Sequence, residues 1–349
     1  MIRILHCADW HLDAPMVFSN PDQRALLRRH SAQIPHKIAE LCKEHSCDLL
    51  LISGDLFDGS YTSDTLQNLK SALAQVQIPV FIAPGNHDYV GPDSPWLTEV
   101  FSDNVHIFIH DVLESVVLEH LDCRVYGAGF QATDCHGLLE GFTAECAEKY
   151  TVGVLHGDPT QIHSPYCPIT TEQVKNSGLH YLALGHIHKG DMFRAGKTLC
   201  AWPGCPMGQG YDETGEKGVL LVTLDETATA EFIPLDTPRF YDWELPATES
   251  LDSCLPPVGN EHFYRITLTG PSEPLDLEAI RANYPQFPNL TLRDKTTPPV
   301  DIWGSAQLDT LEGLYFSRLR EKLDAGEENA ALAAQISRQL LDSQEVVLP

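Results

Sequence analysis

Basic side chains are scarce in this chain. The 349 residues carry 23 lysines and arginines against 49 aspartates and glutamates, a formal charge of −26. That excludes a basic domain that grips nucleic-acid phosphates with its own charge. It leaves room for an enzyme whose positive charge comes from bound metal or a second chain. No Cys-x-x-Cys occurs among the ten cysteines, and the nearest pairs, Cys42/Cys47 and Cys200/Cys205, stand five positions apart. A zinc knuckle is therefore not expected. No apolar run approaches the ~20 residues of a membrane span, so no membrane association is expected. The opening MIRILHCADWH turns to charge and histidine too early for a secretory leader. Free thiols and a cytoplasmic location are the corresponding expectations.

What is present is a globular composition, 43% hydrophobic, with no repeat and no low-complexity tract. At roughly 150 residues per domain the length suggests about two domains. The first 240 residues alternate short apolar strands with helices. Strands are expected at Ile2–His6, Asp48–Ser53, Pro79–Ala83, Thr151–Leu155 and Tyr181–Leu184, with helices over Asp22–Glu44, kinked or split at Pro35, and Thr62–Val76. Continuous apolar strands followed by helices imply sheets covered on both faces, and the strand-dense second half implies a second sheet. The fold class expected is α/β, a four-layer α-β-β-α sandwich over residues 1–238. A small α/β capping domain is expected over 239–300, with strand Phe263–Thr269, helix Leu277–Tyr284 and strand Asn289–Arg293. A helical tail follows over 301–349, broken near Gly326, with leucines at three- and four-residue spacing.

Five short polar motifs each follow an expected strand: Asp9-Trp10-His11, Gly54-Asp55-Leu56-Phe57-Asp58, Gly85-Asn86-His87-Asp88, His156-Gly157-Asp158 and Gly185-His186-Ile187-His188. In α/β sheets ligands bind outside the carboxyl ends of the strands, so five such loops can share one pocket. Taken singly each motif has a bland reading, as a turn, a helix cap or an exposed histidine. Taken together they offer Asp, Asn and His donors without thiolate, a set suited to Mn²⁺, Fe²⁺ or Zn²⁺ rather than Ca²⁺. Seven ligands exceed one tetrahedral ion and fit two ions with a bridging carboxylate, ~3.5–4 Å apart.

The ordered set D-x-H, G-D-x-x-D, G-N-H-D, H and G-H-x-H resembles the calcineurin-like metallophosphoesterases. The details ILHCADWHLD, ISGDLFDG, IAPGNHDYV and ALGHIHKG resemble the SbcD-type nuclease subunits of DNA double-strand-break repair, particularly their shorter YhaO-like branch. The resemblance covers residues 1–235. It implies two divalent ions, most simply Mn²⁺: Asp9, His11, Asp55 and His188 on the first, and Asp55, Asn86, His156 and His186 on the second. Asp55 is then the bridge, and His87 is the catalytic histidine. Asp58 falls where a carboxylate orients that histidine, with Asp88 as the other candidate. Asp13 departs from the usual small residue; it either accepts from a ligating imidazole or, by preference, shapes a turn. The resemblance also implies a DNA substrate, an SMC-like ATPase partner of the SbcC type docking on the tail, and a homodimer.

Two metals against two carboxylates leave a local charge of about +2 by formal counting. A chain at −26 can thereby accept an anionic substrate. The expected function is a two-metal DNA nuclease acting in repair. The alternatives are a two-metal phosphatase or phosphodiesterase for a nucleotide or other small phosphoester, and a non-catalytic metal-bound scaffold.

Overall fold

The apolar runs fold into strands buried on both faces, and their side chains alternate between two cores. The computed structural model describes residues 1–145, 147–299, 301–327 and 329–342. In chain order the strands are β1 (Ile2–Cys7), β2 (Leu49–Ile52), β3 (Val80–Ile82), β4 (Val105–Ile107), β5 (Glu114–Leu118), β6 (Cys123–Gly127), β7 (Tyr150–His156) and β8 (Tyr181–Gly185). They continue with β9 (Lys189–Ala195), β10 (Thr198–Gly204), β11 (Gly218–Leu224), β12 (Ala228–Pro234), β13 (Phe240–Pro246), β14 (Phe263–Pro271) and β15 (Leu290–Thr297). The helices are α1 (Pro21–Glu44), α2 (Ser63–Gln75), α3 (Pro95–Thr98), α4 (Thr171–Asn176), α5 (Leu277–Ala282), α6 (Leu311–Asp324) and α7 (Asn329–Leu341).

One six-stranded sheet has the order β12-β11-β1-β2-β3-β4 and a second the order β5-β6-β7-β8-β10-β9. In the first, β1 to β4 are mutually parallel. In the second, β6, β7, β8 and β10 are parallel. Leu49 and Leu51 of β2 point between the sheets, where they meet Val152, Tyr181 and Ala201. Leu50 and Ile52 point the other way, onto Ile34 and Ile38 of α1 and Leu69 of α2. In β8 the same alternation sends Tyr181 and Ala183 between the sheets, and Leu182 and Leu184 onto Val174 of α4. The result is the four-layer α-β-β-α sandwich expected.

α1 starts where the sequence provides a cap: Asn20 accepts from the Asp22 N–H at 2.8 Å, with Pro21 at the first helical position. It then runs unbroken through Pro35, so of the kink or split expected there the split does not occur. Proline removes one helical hydrogen bond, but Leu27, Ile34, Pro35 and Ile38 are all buried on one face, and that burial holds the helix together.

Two compact units are separable. The first takes 1–242, 259–265 and 286–291; the second takes 243–258, 266–285 and the described residues from 292 onward. In the first unit Phe240 and Phe263 stack at 4.6 Å and complete the core beneath α1. The strands β13, β14 and β15 form a three-stranded sheet in that order. β13 was not expected from the sequence. In the second unit α6 packs on α7. Arg338 pairs with Glu312 at 2.7 Å, lies over the Phe316 ring, and Ala334 is fully buried. No described helix is long and apolar enough to cross a membrane.

The inter-sheet core fixes where the strand ends lie, so its removal is costly. Leu51 is fully buried there, and Leu51→Ala is expected to lower unfolding free energy by ~2–5 kcal/mol, measured by denaturant titration.

Candidate metal centre

All five motifs stand at the carboxyl ends of parallel strands: β1, β2 and β3 in one sheet, β7 and β8 in the other. The loop after β1 pairs with the loop after β2. Asp9 N–H donates to Gly54 O (3.0 Å), His11 N–H to Asp55 O (3.0 Å) and Leu12 N–H to Leu56 O (2.8 Å). Asp9, His11 and Asp55 all take left-handed backbone conformations, with φ of 54°, 43° and 53°. His186 has φ 98°, held by its N–H donating to both oxygens of Asp9, at 2.9 and 3.1 Å. Gly85 is required by space. A Cβ there would lie 2.7 Å from His156 Nδ1 and would also strike the Asp55 carboxylate.

The structure brings all nine sequence-selected residues together. His11 Nε2 lies 3.0 Å from His188 Nε2 and 3.8 Å from Asp55 Oδ2. Asp9, His11 and His188 form one group with convergent donor atoms. His156 Nε2 lies 3.4 Å from Asp55 Oδ2 and 2.9 Å from Asn86 Oδ1; that same amide oxygen lies 3.2 Å from His186 Nδ1. Asp9, Asp55 and His156 form a second convergent group. His87 stands at the rim, its side chain 46% exposed, with Nδ1 2.8 Å from Asp58 Oδ1. The Asp58 oxygen that holds His87 also lies 3.3 Å from His11 Nδ1. Asp88 does not face His87. Its carboxylate accepts from the backbone N–H of Gly85 (2.8 Å), Asp55 (3.1 Å) and Leu56 (2.8 Å), tying the second and third loops together. Asp13 accepts from Thr62 N–H at 2.7 Å and shapes the chain rather than touching an imidazole.

Two residues of the site were not singled out from sequence. Glu213, in the loop after β10, accepts from His188 Nδ1 and from Gln209 N–H (2.7 Å). The only signal was an acid in a glycine-rich stretch. Tyr166 packs its ring against His186 at 4.6 Å. His6 lies just below, fully buried between Tyr181 OH (2.7 Å) and Ser53 Oγ (2.6 Å). Burial pushes its imidazole down to about 3, so it is neutral and part of the packing. Arg194 donates to the carbonyls of Lys197 and Ala228.

The hydrogen-bond pattern tests whether cations fit here. His156 Nδ1–H donates to Ser53 O at 2.9 Å, which leaves Nε2 as the atom whose lone pair can ligate. That lone pair faces two oxygen acceptors. Asp58 and Glu213 likewise hold the Nδ1 sides of His11 and His188, so both Nε2 atoms turn inward, 3.0 Å apart, where either a proton or a cation can lie between them. Lone pairs at these separations repel unless a positive charge lies between them. Ligand bonds of about 2.1 Å give ligand–ligand edges of roughly 3.0–3.4 Å, close to the spacings found. The donor set fits two divalent ions.

In the metal-free chain burial opposes charging of His11. The hydrogen bond to Asp58 and the charges of Asp55 and Asp9 outweigh it, and hold the imidazole at about 9. Metal binding needs that nitrogen unprotonated. Mn²⁺ loading at pH 7 should therefore release at least one proton, and apparent affinity should climb between pH 7 and 9, then level off. Calorimetry in two buffers of different ionisation enthalpy counts the protons. Glu213→Gln, which weakens the support of His188, should lower Mn²⁺ affinity by about 10–100-fold in the same titration.

The family profile described as calcineurin-like phosphoesterase matches residues 2–190. The uncharacterized metallophosphoesterase YhaO of Bacillus subtilis (strain 168) is 32% identical over 267 residues, covering 71% of this chain and 63% of the relative. The match thus spans less than two thirds of that relative's length. Among solved structures, TT1561 of Thermus thermophilus aligns with a TM-score of 0.40 at 13% identity. A dimetal phosphatase from Danio rerio aligns at 0.45 and 11%. Each covers 66% of this chain and 98% of its own. With the family profile spanning more than half its length, the chain belongs to the calcineurin-like phosphoesterase family.

Proposed function

We propose that the chain is a metal-dependent phosphodiester hydrolase whose substrate is DNA. One observation carries the hydrolase reading: carboxylate, amide and imidazole atoms from five loops converge in two adjoining groups at spacings that suit ligands of a shared cation. Asp9, His11, Asp55 and His188 would hold one ion, and Asp55, Asn86, His156 and His186 the other. Mn²⁺ is the first choice for this mixed oxygen and nitrogen set, with Fe²⁺ or Zn²⁺ as alternatives. Two ions in such a site activate water and neutralise phosphate charge.

The remaining chemistry falls to His87. Its Nδ1 is fixed on Asp58, which orients the ring and leaves Nε2 as the free nitrogen at the open rim. From there it can protonate the leaving oxygen of the cleaved ester. His87 N–H also donates to Asp55 Oδ1 at 2.9 Å, so the backbone that carries the acid is tied to the bridging carboxylate.

The choice of DNA rests on the likeness of the motifs to SbcD-type nuclease subunits. The partner reading rests on the same likeness, an SMC-like ATPase docking on the tail. It is supported by the exposed Leu308, Leu311, Leu314, Leu340 and Leu341, apolar side chains that water does not favour.

Replacing His87 by Ala should leave metal content intact and lower kcat by about 10²–10⁴-fold, whereas Asp55→Ala should lose both ions. Metal analysis and turnover of bis(p-nitrophenyl) phosphate check the two variants. The substrate is tested by Mn²⁺-dependent cleavage of single- and double-stranded DNA, with and without a candidate ATPase. Turnover of the small diester with no DNA cleavage in any combination would move the reading to a small phosphoester.

A further inference from the structure

A cavity of about 340 Å³ opens beside His87, a size that suits a small ligand such as a nucleoside. The reading above leaves it without a role. His87 forms part of its wall, together with Phe57, Tyr61, Tyr89 and Asp93. We infer that this cavity is a nucleobase subsite. It seats the base of the nucleotide whose phosphate meets the metal centre, and it favours bases that carry an exocyclic amino group. The inference rests on the phosphoester reading for the position of the phosphate.

The chemistry of the walls selects the occupant. None of the described residues lining the cavity is a lysine or arginine, and both lining charges, Asp88 and Asp93, are acidic. A phosphate would be repelled there, so the cavity suits the uncharged end of a nucleotide. Tyr61 is backed by the buried Phe57 at a ring distance of 4.8 Å, which gives a preorganised aromatic platform. Tyr89 is 38% exposed and directly follows the motif that carries His87. Two tyrosines can present faces to a flat ring, and such stacking tolerates any base. Discrimination then comes from Asp93, an exposed acceptor on the wall. Adenine, cytosine and guanine bear exocyclic amino groups that can donate to it, whereas thymine offers only its ring N3–H. The carboxylate of Asp88 is already committed to three backbone N–H groups, which leaves Asp93 as the selector.

Calorimetric titration of the Mn²⁺-loaded protein with dAMP, dTMP and 2-deoxyribose 5-phosphate tests this. The base should tighten dAMP relative to the base-free sugar phosphate by on the order of 5- to 150-fold. Tyr61→Ala and Tyr89→Ala should each remove most of that gain while leaving the sugar phosphate's affinity unchanged. Asp93→Asn should erase the preference for dAMP over dTMP. Equal affinities of dAMP and the sugar phosphate for the unmodified protein would overturn the proposal. So would tyrosine variants that weaken both alike. In both cases the metal-centre reading stands if the sugar phosphate still binds and the small diester is still hydrolysed. Saturation-transfer NMR of deoxyadenosine with the metal-free protein interrogates the cavity alone. A signal lost in Tyr61→Ala supports the subsite even if phosphate binding fails, and an undiminished signal sinks it.

Discussion

The convergence of ligating atoms from five loops on one cleft is the constraint around which this molecule is organised. Imidazole, amide and carboxylate atoms are held at spacings of 2.9 to 3.8 Å. The arrangement persists because the loops are anchored in strands that cannot move apart. β1, β2, β7 and β8 are buried almost throughout. The inter-sheet core locks the two sheets, and with them the two halves of the donor set, into one geometry. Folding supplies the convergence, and a cation that binds there displaces the protons that occupy it.

The supporting contacts form a layer of their own. Ser53 fixes the His156 tautomer through its carbonyl and holds His6 through its hydroxyl, and His6 in turn reaches Tyr181 in the other sheet. Asp88 binds three amides from two loops. Asp58 serves two histidines with one oxygen. Each of these groups sits one contact away from the convergent atoms and sets the direction in which they point.

Much of this was legible in the sequence. A run such as Leu49-Leu50-Leu51-Ile52, buried on both sides, cannot belong to a sheet with a wet face, so layers on each side followed. The motif residues were legible because ligand chemistry restricts them to a few residue types placed after strands. What was hidden lacked such a pattern. β9 is an edge strand exposed over most of its length, so no apolar alternation marks it, and its basic residues read as a loop. β13 pairs with a strand that begins some way downstream, and its acidic surroundings masked Phe240. Glu213 reaches His188 only through the tertiary fold. The wall beside His87 gathers residues from two loops whose proximity no spacing announces.

The left-handed backbone at Asp9, His11, Asp55 and His186 restricts what evolution can place there, independently of any metal. Branched or bulky residues are disfavoured in that region, while aspartate, asparagine and histidine are among the few that accept it. Those are the same side chains that bind divalent ions well. Each of the four positions is therefore filtered twice, by backbone geometry and by coordination chemistry. Drift toward serine or valine would first cost folding and only then reactivity. A lineage that abandoned catalysis would still keep much of this lettering, so the motifs taken alone report the shape of the turns as faithfully as they report an active enzyme.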